Sequence, residues 1–375
     1  MNTCKLFIVL LFLMFLTSIR AQHVDYNVER ITINDDIYDK VRRIIRMPMV
    51  NGLLPLRCDF HNHTVYSDGF VWPAARVKEA WQNGLDAIAM TDHTYLAGQN
   101  PRGNLTNDPN TSYTVAQPEG EMYNLIVIQG TEISRPQPAG GHINALFIKD
   151  ASKTVGLSAE EAVKEAVQQG AFIIWNHPPY PTYSTYTLSD TMYAVNKRLI
   201  DAGYIQAVEV FNEAEWYPRV LSWCRDYNLA PIAATDIHDL TTDFYGLSEK
   251  TIRPMTIVLA REKSQEAIKE ALIKHHTIAF FNGMLAGNSE LLKSFFFASV
   301  SIKRLKTVNE RDYYVISNPY DVPYVLLLEN GKKMTLHPNS EVIFYQPVGV
   351  KKMEVNIVNL HIYENETLKV TLQLP

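Results

Sequence analysis

A barrel-like α/β fold followed by a small β-sandwich is the architecture this sequence predicts, and three observations carry the expectation. From Leu56 onward a short apolar run, a polar tip and an amphipathic stretch recur, which is the pattern of successive βα units around a parallel sheet. After about residue 290 strand-like runs follow one another with no helix between them. Six of the eleven histidines fall at or near the ends of the expected strands, where parallel barrels carry their chemistry.

The elements follow in chain order. Lys5, the eleven-residue apolar run 6–16, and then Thr17, Ser18 and Ala21 have the layout of a secretory signal peptide, with cleavage expected after Ala21 and a secreted or periplasmic location to follow. No other segment is long and apolar enough to predict a transmembrane helix. Residues 22–289 are assigned to the barrel and 290–375 to the sandwich. Barrel strands are expected at 56–60, 87–90, 125–129, 143–148, 172–175, 207–211, 231–234 and 256–259. Helices are expected at 73–83, with Pro73 in the first turn and Gly84 as the stop, at 158–169, where Ser158 and Glu161 spell a capping box, at 220–227, and at 264–275. The stretch 94–122, rich in Asn, Pro, Gly and Thr, reads as a long excursion able to roof a cleft. Beyond it all, 296–300, 313–316, 324–328, 342–345, 353–358 and 368–374 read as sandwich strands, and Asn330-Gly331 as a hairpin turn.

Composition narrows the function classes. The 375 residues are 46% apolar and 20% charged, within the globular range and against disorder. A net charge of −5 leaves no basic stripe of the kind that binds long nucleic acids. With Cys4 in the leader, Cys58 and Cys224 are too few for a disulfide scaffold, and both read as buried free thiols.

The histidines gain meaning from their neighbours. His61 and His63 stand two apart on an extended segment, so their imidazoles point the same way and can share one metal. Asp68 follows in Ser67-Asp68-Gly69, His93 ends the second expected strand, Glu132 follows the third, and His142 opens the next. His177 sits in Asn176-His177-Pro178, and Asp236 with His238 repeats the spacing of two. A lone histidine beside an apolar strand is usually a satisfied core or surface residue, and a lone strand-end Asp usually a helix cap. Two such pairs plus isolated His, Glu and Asp residues at equivalent strand ends instead point to a metal centre. His275, His276, His337 and His361 lie outside the pattern and read as structural.

These motifs, in this order from about Leu56 to Gly283, resemble those of the PHP superfamily, named for polymerase and histidinol phosphatase. The resemblance implies a distorted (β/α)7 barrel. It also implies one metal held by His61, His63, Glu132 and Asp236, a second by Glu132, His142 and His177, and a third by Asp68, His93 and His238. Many relatives carry His where this chain has Asp68, which suggests a weaker third site or a harder ion. The leader and the appended β region make the chain resemble secreted phosphodiesterases of the superfamily more than histidinol phosphatase.

Two to three divalent ions, with Zn, Mn or Fe suited to imidazole and carboxylate donors, are therefore expected. Coordination lowers the pKa of water from ~15.7 toward ~7, which would give a metal-bridging hydroxide as nucleophile for a small phosphoester, with Glu132 and Asp236 as the central ligands. Asp59 and Asp92 adjoin ligands and are candidates to orient imidazoles. Arg135 is the candidate phosphate contact, and Tyr180, with Tyr183 and Tyr186, the candidate wall for an apolar ester group. A phosphodiester is favoured because few cations adjoin the ligand motifs. A phosphomonoesterase of the same superfamily, a non-catalytic metal- or ligand-binding protein, and carboxyl chemistry of the amidohydrolase type stand as alternatives. A chain ending near Ser289 is expected to keep its metals.

Overall fold

The computed structural model describes residues 41–94, 105, 108–134, 141–179, 194–245 and 252–375. The expected leader lies outside these residues. Apart from Val41, everything described belongs to one compact unit, Arg42–Pro375.

The barrel strands are β1 (Leu54–Asp59), β2 (Ala87–Met90), β3 (Ile126–Ile133), β4 (Ile143–Leu146), β5 (Phe172–Trp175), β6 (Ile205–Asn212), the short β7 (Glu215–Trp216), β8 (Ala230–Ala234) and β9 (Met255–Ala260). All eight expected strands are present within a few residues. The helices are α1 (Pro73–Gln82), α2 (Thr111–Tyr123), α3 (Ala159–Gln168), α4 (Ala194–Asp201), α5 (Pro218–Asp226), the short α6 (Thr241–Tyr245) and α7 (Gln265–Ile273). The capping box forms as expected: the Ser158 hydroxyl accepts from Glu161 N, and Ser158 N donates to the Glu161 carboxylate. Helix α2 corrects the reading of 94–122 as a roof over its last part, while residues 95–104, 106 and 107 lie outside the described residues. It packs beside α1, with the Trp81 and Tyr123 rings 5.0 Å apart, as the helix of an ordinary βα unit.

Pairing is parallel for β1–β2, β2–β3, β5–β6 and β6–β8, but antiparallel for β3–β4, β4–β5 and β9–β1. Only nine residues lie between β3 and β4, fewer than a crossover needs, and a connection without a crossover returns the chain antiparallel. This places the start of β4 beside the end of β3, so both feed one rim. The expected closed (β/α)7 barrel is not what the ladders draw, because among the described residues β8 and β9 share none. The Thr256 hydroxyl bridges that seam instead, accepting from Ala233 N at 3.0 Å and donating to Ala233 O at 2.9 Å. Beyond the strands the ring is drawn together at the rim, where Asp236 N donates to His61 O at 2.8 Å and His63 N to Ile237 O at 3.1 Å.

Burial on both faces explains the apolar strands. Leu56, Cys58, Ala87, Ala89, Phe172 and Ile174 face one interior cluster, which Ile268 and Leu272 of α7 also enter, while the alternate residues Ile88, Ile173, Trp175 and Ile257 pack into two outer clusters. Cys58 and Cys224 are free, as expected.

The C-terminal region departs further from expectation. Two strands follow α7, β10 (Thr277–Phe281) and β11 (Met284–Gly287). They are succeeded by helix α8 (Ser289–Ser299), where the sequence suggested a strand at 296–300. The Asn288 carboxamide oxygen caps this helix by accepting from Glu290 N and Leu291 N, and Leu292, Phe295, Phe296 and Ser299 are buried at helical spacing. The remaining strands are β12 (Ser301–Val308), β13 (Arg311–Asn318), β14 (Tyr324–Leu328), β15 (Lys333–Leu336), β16 (Ser340–Pro347), β17 (Lys352–Tyr363) and β18 (Glu366–Gln373). They do not close as a sandwich of their own. β12, β13 and β16 form a separate sheet, while β14, β15, β17 and β18 continue the barrel sheet through parallel pairing of β17 with β11.

Candidate metal centre

Each barrel strand delivers its polar residues to the same rim. His61 and His63 follow β1, His93 follows β2, Glu132 lies near the end of β3, His142 immediately precedes β4, His177 follows β5, and Asp236 and His238 follow β8. An isolated parallel bridge pairs His93 with Glu132, and another pairs Asn62 with Ile237. All nine candidate ligands meet there.

The donor atoms form overlapping groups. His63, Asp68, His93 and His238 make one, His61, His63 and Asp236 another, Glu132, His142 and His177 a third, and His61, His177 and Glu209 a fourth, each with donor atoms within 4.8 Å of one another. The Nε2 atoms of His61 and His63 approach to 3.2 Å, which realises the shared direction inferred from their spacing. Glu132 occupies the middle: its Oε1 lies 3.3 Å from His61 Nε2 and 3.1 Å from His142 Nδ1, and its Oε2 lies 2.6 Å from His93 Nδ1 and 3.5 Å from His63 Nε2. Asp236 Oδ1 stands 2.9 Å from His63 Nε2 and 3.1 Å from His61 Nε2. Asp68 reaches His93 Nε2 and His238 Nε2, both at 3.2 Å.

Outer contacts aim the rings. Glu209 of β6 accepts from His61 Nδ1 at 2.8 Å, which fixes that proton outward and turns the Nε2 lone pair into the cluster. Its other oxygen accepts from the backbone N of His177 at 2.7 Å and from Asn212 Nδ2 at 2.8 Å. Ser67 stands 3.3 Å from His63 Nδ1 and donates to Asp92 at 2.6 Å, so Asp92 acts on His63 through a hydroxyl. His238 Nδ1 donates to Asp236 O at 2.7 Å, and Asn176 Nδ2 donates to Glu132 Oε1 at 2.8 Å. Asp59 does not orient an imidazole. It accepts from Thr235 N at 3.2 Å and the Thr235 hydroxyl at 2.6 Å and pairs with the buried Arg253, tying the end of β1 to the segment that carries Asp236.

The electrostatics match a cation site. Burial would raise Glu132, yet the imidazoles of His142, His93 and His61 hold it well below the usual carboxylate range. Asp236 behaves alike, with burial overcome chiefly by His61. Burial opposes charge on His61 and His93, but Asp236 and Glu209 around the first, and Glu132 and Asp68 around the second, push both up, His93 to about 10. His63, buried and facing His93, is pushed down to about 4. Backbone strain falls on two ligands, His177 at φ 22° and Asp236 at φ 51°, a conformation that a non-glycine residue keeps only under outside constraint. Ionised carboxylates interleaved with inward ring nitrogens, each ring held from outside, are a donor set fitted to divalent ions.

Glu209, Ser67 and Asn176 escaped the sequence reading. A lone carboxylate inside the apolar run of β6 was the available sign of Glu209. Arg135 and Tyr180, with Tyr183 and Tyr186, lie outside the described residues.

No protein-family model matches the chain. A two-domain protein of Bacteroides vulgatus, containing a predicted PHP-like metal-dependent phosphoesterase, superposes with a TM-score of 0.81 at 32% identity, covering 89% of this chain and 99% of that one. Two uncharacterized proteins of Methanocaldococcus jannaschii also match. One is 33% identical over 116 residues, 30% of this chain and 50% of that protein, and the other 28% identical over 169 residues, 42% and 82% respectively. The chain thus spans half the length of the first of these curated relatives.

Proposed function

Because the chain belongs to the PHP-like metal-dependent phosphoesterases, sharing 32% identity over 99% of the Bacteroides vulgatus protein, we propose that it hydrolyses small phosphodiesters. The observation that carries this reading is Glu132, buried at the centre and within hydrogen-bonding reach of ligands from more than one donor group. Two to three divalent ions, of the Zn, Mn or Fe kind, would be held by His61, His63, Glu132 and Asp236, by Glu132, His142 and His177, and by Asp68, His93 and His238. Bound there, they would supply Lewis acidity toward phosphoryl oxygens and acidify a water. The chain's own part is to hold six imidazoles and three carboxylates in place, with Glu209, Ser67 with Asp92, and Asn176 fixing His61, His63, His177 and Glu132 from outside.

Charge favours the diester. Arg76 and Arg253 are buried near the centre but already engaged, Arg76 with Glu79 and the carbonyls of His63 and Asp239, Arg253 with Asp59. Glu213, half-buried in the turn after β6, is raised by burial and by the charge of Asp236, and sets further negative charge beside His177 and His238. A second negative charge on the substrate is disfavoured by such a carboxylate. We also propose export through a leader at 1–21, which sequencing of the mature N-terminus tests.

Metal-loaded protein should hydrolyse bis(4-nitrophenyl) phosphate with kcat/KM at least ~10-fold above 4-nitrophenyl phosphate, a gap of about 1.4 kcal/mol. Chelation should abolish turnover, readdition of metal restore it, and Glu132→Ala lower it by ~10³-fold or more. A preference for the monoester overturns the diester reading. Absence of turnover on any phosphoester by protein that retains its ions leaves a binding protein.

A further inference from the structure

The donors differ in how far solvent reaches them. The side chains of His238 and Asp68 are 31% and 22% exposed, and that of His142 20%, whereas those of His61, His63 and Glu132 are fully buried. Solvent thus reaches the centre at His238, Asp68 and His142. The loop that carries Asp68, one of the donors that solvent reaches, also carries two large aromatic residues, Phe70 and Trp72, which are 57% and 54% exposed.

Their position is fixed by the backbone. Phe70 N donates to His238 O at 2.8 Å, so this aromatic residue is bonded directly to a ligand segment. Ser67 N and Gly69 N both donate to Thr64 O at 3.0 Å, and Val65 N donates to Val71 O at 3.1 Å, which closes the loop on itself. Gly69 has no room for a side chain, since a Cβ would stand 2.7 Å from the backbone of His63 and Thr64. Trp72 immediately precedes α1, its carbonyl accepts from Arg76 N at 2.9 Å, and its ring meets Tyr66 edge-on at 5.9 Å. Two large aromatic residues half-exposed on a tightly tied loop, one of them bonded through its backbone to the His238 segment, leave apolar surface next to a polar site, which is characteristic of ligand contact.

We infer that Phe70 and Trp72 form a binding platform for an aromatic ester group of the substrate, the group that stays on phosphorus when the other ester bond breaks. This rests on the phosphodiesterase reading and names its substrate class: phosphodiesters with at least one apolar, ring-bearing substituent. Aromatic rings stack or meet edge-to-face at modest gain beyond the apolar area they bury. The platform acts on binding, since it touches neither the departing oxygen nor a proton in transfer.

Two diesters with the same 4-nitrophenoxide leaving group test it: bis(4-nitrophenyl) phosphate, whose retained group is aromatic, and methyl 4-nitrophenyl phosphate, whose retained group is not. The double variant F70A/W72A should lose ~10-fold or more in kcat/KM on the bis-aryl ester, mainly through KM, and stay within about twofold on the methyl ester, with metal content unchanged. Equal losses on both esters, or none on either, overturn the inference and leave the phosphodiesterase reading in place. Should the protein hydrolyse no phosphoester, titration of metal-loaded protein with diphenyl phosphate decides. Binding lost in the double variant supports the platform while the catalytic reading falls. Unchanged binding, or none to the unaltered protein, overturns the platform as well.

Discussion

Replacing Glu209 by Ala should loosen the metal centre without touching a proposed ligand. The carboxylate is fully buried and accepts three hydrogen bonds, from His61 Nδ1 at 2.8 Å, His177 N at 2.7 Å and Asn212 Nδ2 at 2.8 Å. A buried donor stripped of its acceptor costs about 1–3 kcal/mol, so the metal-free variant should lose at least ~3 kcal/mol of stability. For a chain of this size, with an unfolding entropy of about 2.1 cal/mol/K per residue, that corresponds to a fall in Tm of roughly 4 °C or more. The metal effect is separable. Without the outward bond at Nδ1, His61 is free to place its proton on Nε2, the atom that faces Asp236 and Glu132. The loss of an outer partner of this kind lowers metal affinity about 10–100-fold. Because Glu209 holds one ring by its side chain and the other residue by its backbone, His61 and His177 should loosen together, and two ions should be weakened rather than one. Metal titration monitored by bound-ion analysis, with imidazole ¹⁵N spectra to read the His61 tautomer, measures both consequences. Glu209→Gln retains one acceptor oxygen in place of two and should fall between. If Glu209→Ala keeps full metal affinity and the same tautomer and loses only Tm, Glu209 serves packing and the reasoning fails.

Three further outcomes follow from the structure. In metal-free protein His93 is pushed up to about 10, against an ordinary histidine value of about 6.5, so at pH 7.5 it carries a proton that an incoming ion must displace, and His61 is raised in the same direction. Calorimetry in buffers of different ionisation enthalpy should therefore show proton release, and a buffer-independent heat would contradict it. A folded-state value above the unfolded one contributes stability that is whole below about pH 6.5 and is lost as pH rises through about 10. The Tm of chelated protein should accordingly fall between pH 7 and 10, and a flat or rising profile refutes the assignment. Truncation after Ser289 should give insoluble or unfolded protein, since it removes β17 from its parallel pairing with β11 (Leu285 to Leu360, Ala286 to His361) and uncovers Leu285 and Phe280. A monomeric truncation that holds its ions would reverse that expectation.

The ligands were legible because chemistry restricts them twice. A metal centre admits few residue types, and a strand end admits few positions, so His61 with His63 and Asp236 with His238 stand out without any knowledge of distance. The residues that aim them are restricted by geometry alone. Ser67, Asn176 and Glu209 are ordinary in sequence, and only a fold that brings β6 beside β1 shows that Glu209 reaches His61. The same distinction separates the legible strands, those at 313–316, 324–328, 342–345, 353–358 and 368–374 included, from the misread connectivity of the C-terminal region. Asn282-Gly283, with φ of 47° and 80°, joins β10 to β11 and is as plain a hairpin signal as Asn330-Gly331, so this antiparallel pair could have been read locally. The parallel ladder of β11 with β17 could not, because the two segments are far apart in sequence and neither carries a mark of the other. That ladder makes β14, β15, β17 and β18 part of the barrel's own sheet, and it is why a boundary drawn near residue 290 divides the sequence at a place where the hydrogen bonds do not.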